Sequence, residues 1–178
     1  SRYANKISEL RENFSESALI KIRFNIEIEW LLYICVNLPK TFKPLSKQSI
    51  KKIAKFKDSF DNKSVLKIKK IESTTNHDVK AVEYYIRDYF LKDKVLSTYT
   101  HLIHFGLTSE DINSLSYAHM IKDGIYIYIK ELDKVNKILK NYSKKWAKQP
   151  FLARTHGQAA SPSTLGKEMK VSHERITR

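Results

Sequence analysis

A chain of 178 residues is long enough for one domain and the start of a second. At 42% hydrophobic it can bury a core, but four glycines and four prolines are too few for a fold built on tight β-turns. A single cysteine, Cys35, excludes an internal disulfide. No apolar run reaches the ~20 residues of a membrane helix, and no leader-like apolar segment is seen, so a soluble, cytoplasmic protein is expected.

The formal net charge of +14 invites a nucleic-acid reading. Between positions 40 and 70, eleven lysines face only Asp58 and Asp61. Their spacing is irregular, and Phe42, Phe56 and Phe60 are the only aromatics among them. This pattern reads as a solvated lysine-rich face rather than a nucleic-acid groove.

In chain order, residues 16–38 run for 23 positions without glycine or proline. The centre alternates like a strand through Ile22, Phe24, Ile26, Ile28 and Trp30, while Leu19, Ile22, Ile26, Trp30 and Tyr33 form a helical stripe. Length decides for a helix that stops before Pro39. Ser46 is expected to cap a lysine-rich helix to about Phe60, and Ser64 another to about Glu72. Asn76 or Asp78 starts the next helix, which carries Val79, Val82, Ile86 and Phe90 at helical spacing, with Tyr85 and Tyr89 beside them. Thr108 and Asp111 form a variant capping box ahead of a long helix. In it Ile125, Tyr128, Leu132, Val135, Leu139, Tyr142 and Trp146 make a heptad stripe, weakened only at Gly124. Residues 151–160 read as a compact connection, and Ser161-Pro162 as the cap and first turn of a final helix. The expected fold class is all-α: an N-terminal helical domain over residues 1–107 and the start of a helical bundle over 108–178.

Three polar clusters interrupt the helices: Thr74 to Asp78 (TTNHD), Thr108 to Asp111 (TSED) and Arg154 to Gln158 (RTHGQ). Free N–H groups and the positive dipole end suit a helix start to carboxylates and phosphates. Hydroxyls add donors, and histidine moves protons near neutral pH. Each cluster also has a plain structural reading. Thr108-Ser109 can be only a cap, His77 can bond within its own turn, and His156 can be a loop histidine. His101, His104, His119 and His173 read as structural, and no residue set has metal-ligand spacing.

In sequence, KIESTTNHDVKAVEYY (70–85), HFGLTSEDINSLSYAHM (104–120) and ARTHGQAASPSTLGKEM (153–169) together resemble the fumarase/aspartase superfamily, and within it the adenylosuccinate lyase family. Ser1-Arg2-Tyr3 is a weaker match to that family's G-R-Y. Gly157, where other branches carry leucine, favours the adenylosuccinate branch. The resemblance implies an all-α bundle assembled as a homotetramer. It implies β-elimination of fumarate from succinylated purine nucleotides, adenylosuccinate to AMP and SAICAR to AICAR, without cofactor or metal. It makes His156 the general acid, and Thr108 and Ser109 binders of the succinyl carboxylates. Asn76, His77 and Asp78 become a substrate-binding loop, and Arg2 and Tyr3 bind the nucleotide phosphate. Ser1, Ala159 and Ser161 depart from the family pattern. The S-S-x-M-P-x-K-x-N loop that carries the serine general base is absent, so residues 1–178 alone are expected to be inactive. The competing readings are another lyase of the superfamily, such as one acting on argininosuccinate, and a basic helical nucleic-acid-binding module.

Overall fold

The structure, a computed structural model, describes residues 2–178. Apart from one β-hairpin, its regular structure is helical, as the composition implies. After a 3-10 turn at Ala4–Lys6 come α1 (Ser8–Phe14), α2 (Glu16–Asn37), α3 (Lys47–Asp58), α4 (Asn62–Thr75) and α5 (Asp78–Leu91). A second 3-10 turn, Ser97–Leu102, leads to α6 (Ser109–Lys145), the hairpin β1 (Pro150–Thr155) and β2 (Gln158–Thr164), and α7 (Leu165–Thr177). The chain forms two compact units, one ending at Gly124 and one from Ile125 to Arg178.

In the first unit α2 is the central element. Its Ile20, Phe24, Ile28, Leu31, Ile34 and Cys35 are buried against Ile53 and Phe56 of α3, Ile68 of α4, and Val82, Ile86 and Phe90 of α5. Phe24 meets Phe56 edge-on at 5.1 Å and stacks on Phe60 at 4.5 Å, within the range where aromatic pairs add to area burial. The helical stripe from Leu19 to Tyr33 belongs to the outer face of α2. There Ile22, Ile26, Trp30 and Tyr33 line an open groove of about 800 Å³ with Leu115 and His119 of α6. The helix is apolar nearly all round, so periodicity alone does not choose its inner face.

The caps correct several boundaries. Ser15 and Ser46 cap α2 and α3 by accepting from the N–H groups of Ala18 and Ser49. Asp61, not Ser64, caps α4; Ser64 is its reciprocal capping-box partner, and the helix runs past Glu72 to Thr75. Asn76 closes α4 in the left-handed region, and His77 starts α5. Gly124 lies where the Phe14 ring crosses α6, and a Cβ there would sit 2.4 Å from that ring.

In the second unit α7 packs on the latter part of α6. Gly166 is buried against the Ser143 carbonyl and the Ala147 backbone, and the His173 ring lies 2.6 Å from Asn136. Ser161 and Pro162 do not begin α7. They belong to β2, and Thr164 caps the helix by accepting from the Lys167 N–H. Most of the heptad stripe, including Ile125, Tyr128, Val135 and Tyr142, is exposed in this chain.

Candidate functional site

Two of the three polar clusters meet. The helical stretch of α4 ends at Asn76, whose φ of 51° reverses the chain, and His77 then sits extended as the N-cap of α5. His77 Nδ1 accepts from the Lys80 N–H at 3.2 Å. A ring nitrogen that accepts carries no proton, so the remaining N–H is at Nε2. Nε2 faces Ser109 Oγ at 3.4 Å, across from the first residue of α6. The starts of two helices, each with N–H groups that have no intrahelical partner, are thereby placed side by side.

The neighbours of this pair are held by charge. The Asp78 carboxylate receives the buried Arg23 guanidinium at 2.7 Å and the Val79 N–H at 2.9 Å. Burial pulls the Asp78 carboxyl up, but the Val79 N–H and Arg23 outweigh it and hold it below the usual carboxylate range. Arg23 Nε also donates to Asn113 at 3.0 Å, so one guanidinium ties α2 to the starts of both α5 and α6. Thr108 donates its N–H and its hydroxyl to Asp111 Oδ2, at 2.7 and 2.9 Å. The Thr108 N–H, then its hydroxyl, lower the Asp111 carboxyl despite slight desolvation, with the charge of His104 adding. The Thr108 hydroxyl is therefore committed to its own cap, while the Ser109 hydroxyl faces the histidine.

Sequence reasoning missed the layer beneath. His104, with φ at 61°, turns its Nδ1 onto Glu27 at 2.6 Å, and Glu27 is buried with its second oxygen unpartnered. The Glu27 hydrogen bond lifts the His104 imidazole above its ordinary value, against the pull of burial. Glu83, also buried, receives Lys80 and Arg87 at 2.8 and 2.9 Å. The available signal was Arg23 and Glu27 at i and i+4, a spacing that lets both enter one face, where buried charge must be paired.

The third cluster lies in the second unit. His156 and Gly157, with φ of 49° and 77°, are the two loop residues between the paired Thr155 and Gln158. Positive φ at both central residues is the mark of a type I′ hairpin turn. Histidine is among the non-glycine residues that accept this region, and the turn leaves its ring exposed. Arg154 Nη1 reaches back to the Gly157 carbonyl at 3.3 Å. Arg2 lies with its guanidinium carbon 5.7 Å from the centre of the Tyr3 ring, and Tyr3 is exposed ahead of the first 3-10 turn. Ser1, of the S-R-Y match, lies outside the described residues. Among those residues no three His, Cys, Asp or Glu side chains are grouped to hold a metal, and no helix is long and apolar enough to cross a membrane.

A helical chain with paired helix starts, histidine and hydroxyl donors fits a lyase, and the chain belongs to the lyase family, whose profile matches residues 1–178. Within that family it is similar to adenylosuccinate lyases. That of Buchnera aphidicola (Schizaphis graminum) is 39% identical over 99% of this chain. Those of Dictyostelium discoideum and Escherichia coli K12 are 40% identical over 98% and 94% of it. The chain spans about two fifths of the length of these relatives, 37–39%. Among solved structures, a fumarate lyase from Mesorhizobium sp. BNC1 matches with a TM-score of 0.77 at 19% identity, over 96% of this chain and 38% of that one. The 3-carboxy-cis,cis-muconate lactonizing enzyme of Pseudomonas putida matches at 0.71 and 18% identity, over 95% and 37%. At those identities the likeness concerns the fold alone. The family read from the sequence motifs and the all-α class are both borne out.

Proposed function

We propose that this chain supplies the N-terminal part of an adenylosuccinate lyase, which eliminates fumarate from adenylosuccinate, and from SAICAR, without cofactor. The observation that carries the reading is the His77–Ser109 contact, which joins two motif clusters 32 residues apart at adjoining helix starts. Identity near 39% to enzymes of that name supports it.

In this reaction a proton leaves the carbon beside a carboxylate, and negative charge builds on that carboxylate. The Ser109 hydroxyl and the N–H groups at the start of α6 stabilise the charge, because they are aimed before the reaction begins. Thr108, bonded to Asp111, shapes the cap that presents them. Asn76, His77 and Asp78 form the substrate loop, with Asp78 anchored by Arg23 so that His77 keeps its register. The C–N bond then breaks and its electron pair goes to nitrogen. His156, presented at the tip of the hairpin, donates the proton that nitrogen takes up. Arg2 and Tyr3 hold the nucleotide phosphate. The serine general base comes from a segment outside these 178 residues. The working form is a cytoplasmic homotetramer, in which the exposed stripe from Ile125 to Trp146 is covered by partner helices.

A substrate panel on the full-length protein tests the assignment. Fumarate release from adenylosuccinate, and none from argininosuccinate, is expected. The reverse preference moves the chain to another branch of the family.

A further inference from the structure

Some lysines of the first unit are held in ion pairs. Lys52 pairs with Asp93, Lys57 with Glu29, and Lys69 with both Glu16 and Glu72. Lys67, Lys70 and Lys92 are three of the lysines with no anionic partner among the described residues. These three line one groove between α4 and α5, on the flank of α5 rather than at its N-terminus, with a volume of about 580 Å³. Tyr84 and Tyr89 supply aromatic wall, and Asp88 is the one carboxylate in the lining. Three of the unpaired cations thus converge on one concavity.

We propose that the α4–α5 groove is a second ligand site of this chain and takes a free nucleoside di- or triphosphate. Three ammonium groups against one carboxylate leave two positive charges, which complement a phosphate chain. Tyr89 is backed by Phe56 at 3.6 Å and Tyr84 by the Lys80 ammonium at 5.7 Å, so a base would stack on the remaining face of either ring, a contact that tolerates any base identity. The groove is open to solvent, and its volume suits one small ligand. Nothing in this assignment requires the lyase reaction.

The test is calorimetric titration of the full-length protein with ADP, followed by the double variant Lys67→Glu/Lys70→Glu, the variants Tyr84→Ala and Lys92→Gln, and His77→Ala as control. The groove lysines and tyrosine are outside the proposed active site, so turnover persists in their variants and certifies their fold. Loss of one charge-assisted phosphate contact corresponds to about tenfold or more in affinity. The double variant is expected to lose at least that much, Lys92→Gln and Tyr84→Ala a smaller multiple, and His77→Ala nothing. Unchanged ADP affinity in the double variant overturns the site. Loss of ADP binding in His77→Ala alone moves the ligand to the His77–Ser109 cluster and also overturns it. Pyrophosphate binding as tightly as ADP, with Tyr84→Ala silent, overturns the nucleotide assignment. So does displacement of ADP by a short RNA whose affinity falls steeply with salt.

Discussion

Gly166→Ala and Gly124→Ala differ in what the added methyl meets, and the structure assigns them different outcomes. At Gly166 a Cβ would lie 2.5 Å from the Ser143 carbonyl oxygen and 2.6 and 2.7 Å from the backbone N and Cα of Ala147. All three are backbone atoms of the α6 end and the turn after it, so none can rotate away. Forcing α7 off costs about 1–3 kcal/mol as overpacking, and weakening the Gly166 N–H to Trp146 bond adds about 1 kcal/mol. The helix propensity of alanine returns about 1 kcal/mol, leaving a net loss of about 1–3 kcal/mol. At Gly124 the obstacle is the Phe14 ring, at 2.4 and 2.6 Å, which is 49% exposed and free to swing outward. There the propensity gain and the lost ring contact nearly cancel, to within about 0.5 kcal/mol. Urea unfolding of both full-length variants, read beside hydrogen exchange in α1 and α7, measures the contrast. Gly166→Ala as stable as wild type, or Gly124→Ala as damaging as Gly166→Ala, refutes the reasoning.

Ser109→Ala is expected to reduce fumarate release far more than it lowers the melting temperature. A purely capping role would instead cost about 1 kcal/mol of stability with turnover kept, and kinetics and melts on one preparation separate the two. The His104–Glu27 pair gives a pH signature. His104 is raised in the folded state, so its contribution is fully present below the unfolded imidazole value and is lost as pH climbs through the raised one. The wild-type melting temperature should therefore fall across that window, and the fall should flatten in Glu27→Gln; parallel curves would remove the pair from the account.

The residues that carry the motifs were legible because their chemistry is local. Hydroxyls, histidine and acids at helix starts can be read from type and position alone. The meeting of His77 with Ser109 was not legible, because it depends on how α5 and α6 pack. The inner face of α2 misled for a definite reason. With apolar residues on every side, the stripe through Ile22 and Trp30 looked as good as the true one through Phe24 and Ile28. Arg23 and Glu27, buried on the true face, made that face look polar. The hairpin escaped notice because Ala153, Ala159 and Ala160 have weak strand preference and Pro162 argues against a strand. In a two-stranded sheet both strands are edges, so that proline is tolerated opposite Leu152. His156-Gly157 took the place that Asn-Gly usually holds, and hid the turn. Gly124 read as a weak point in its helix, and only the packing shows what it and Gly166 make room for.

The most direct test of the central claim is steady-state fumarate release from adenylosuccinate by the full-length enzyme and its His156→Ala variant, side by side. The account predicts that wild type releases fumarate and AMP in equal amounts, and that the variant, folded and still binding substrate, loses about 10²–10⁴ in kcat. A wild type that releases no fumarate, or a variant with unaltered kcat, contradicts it.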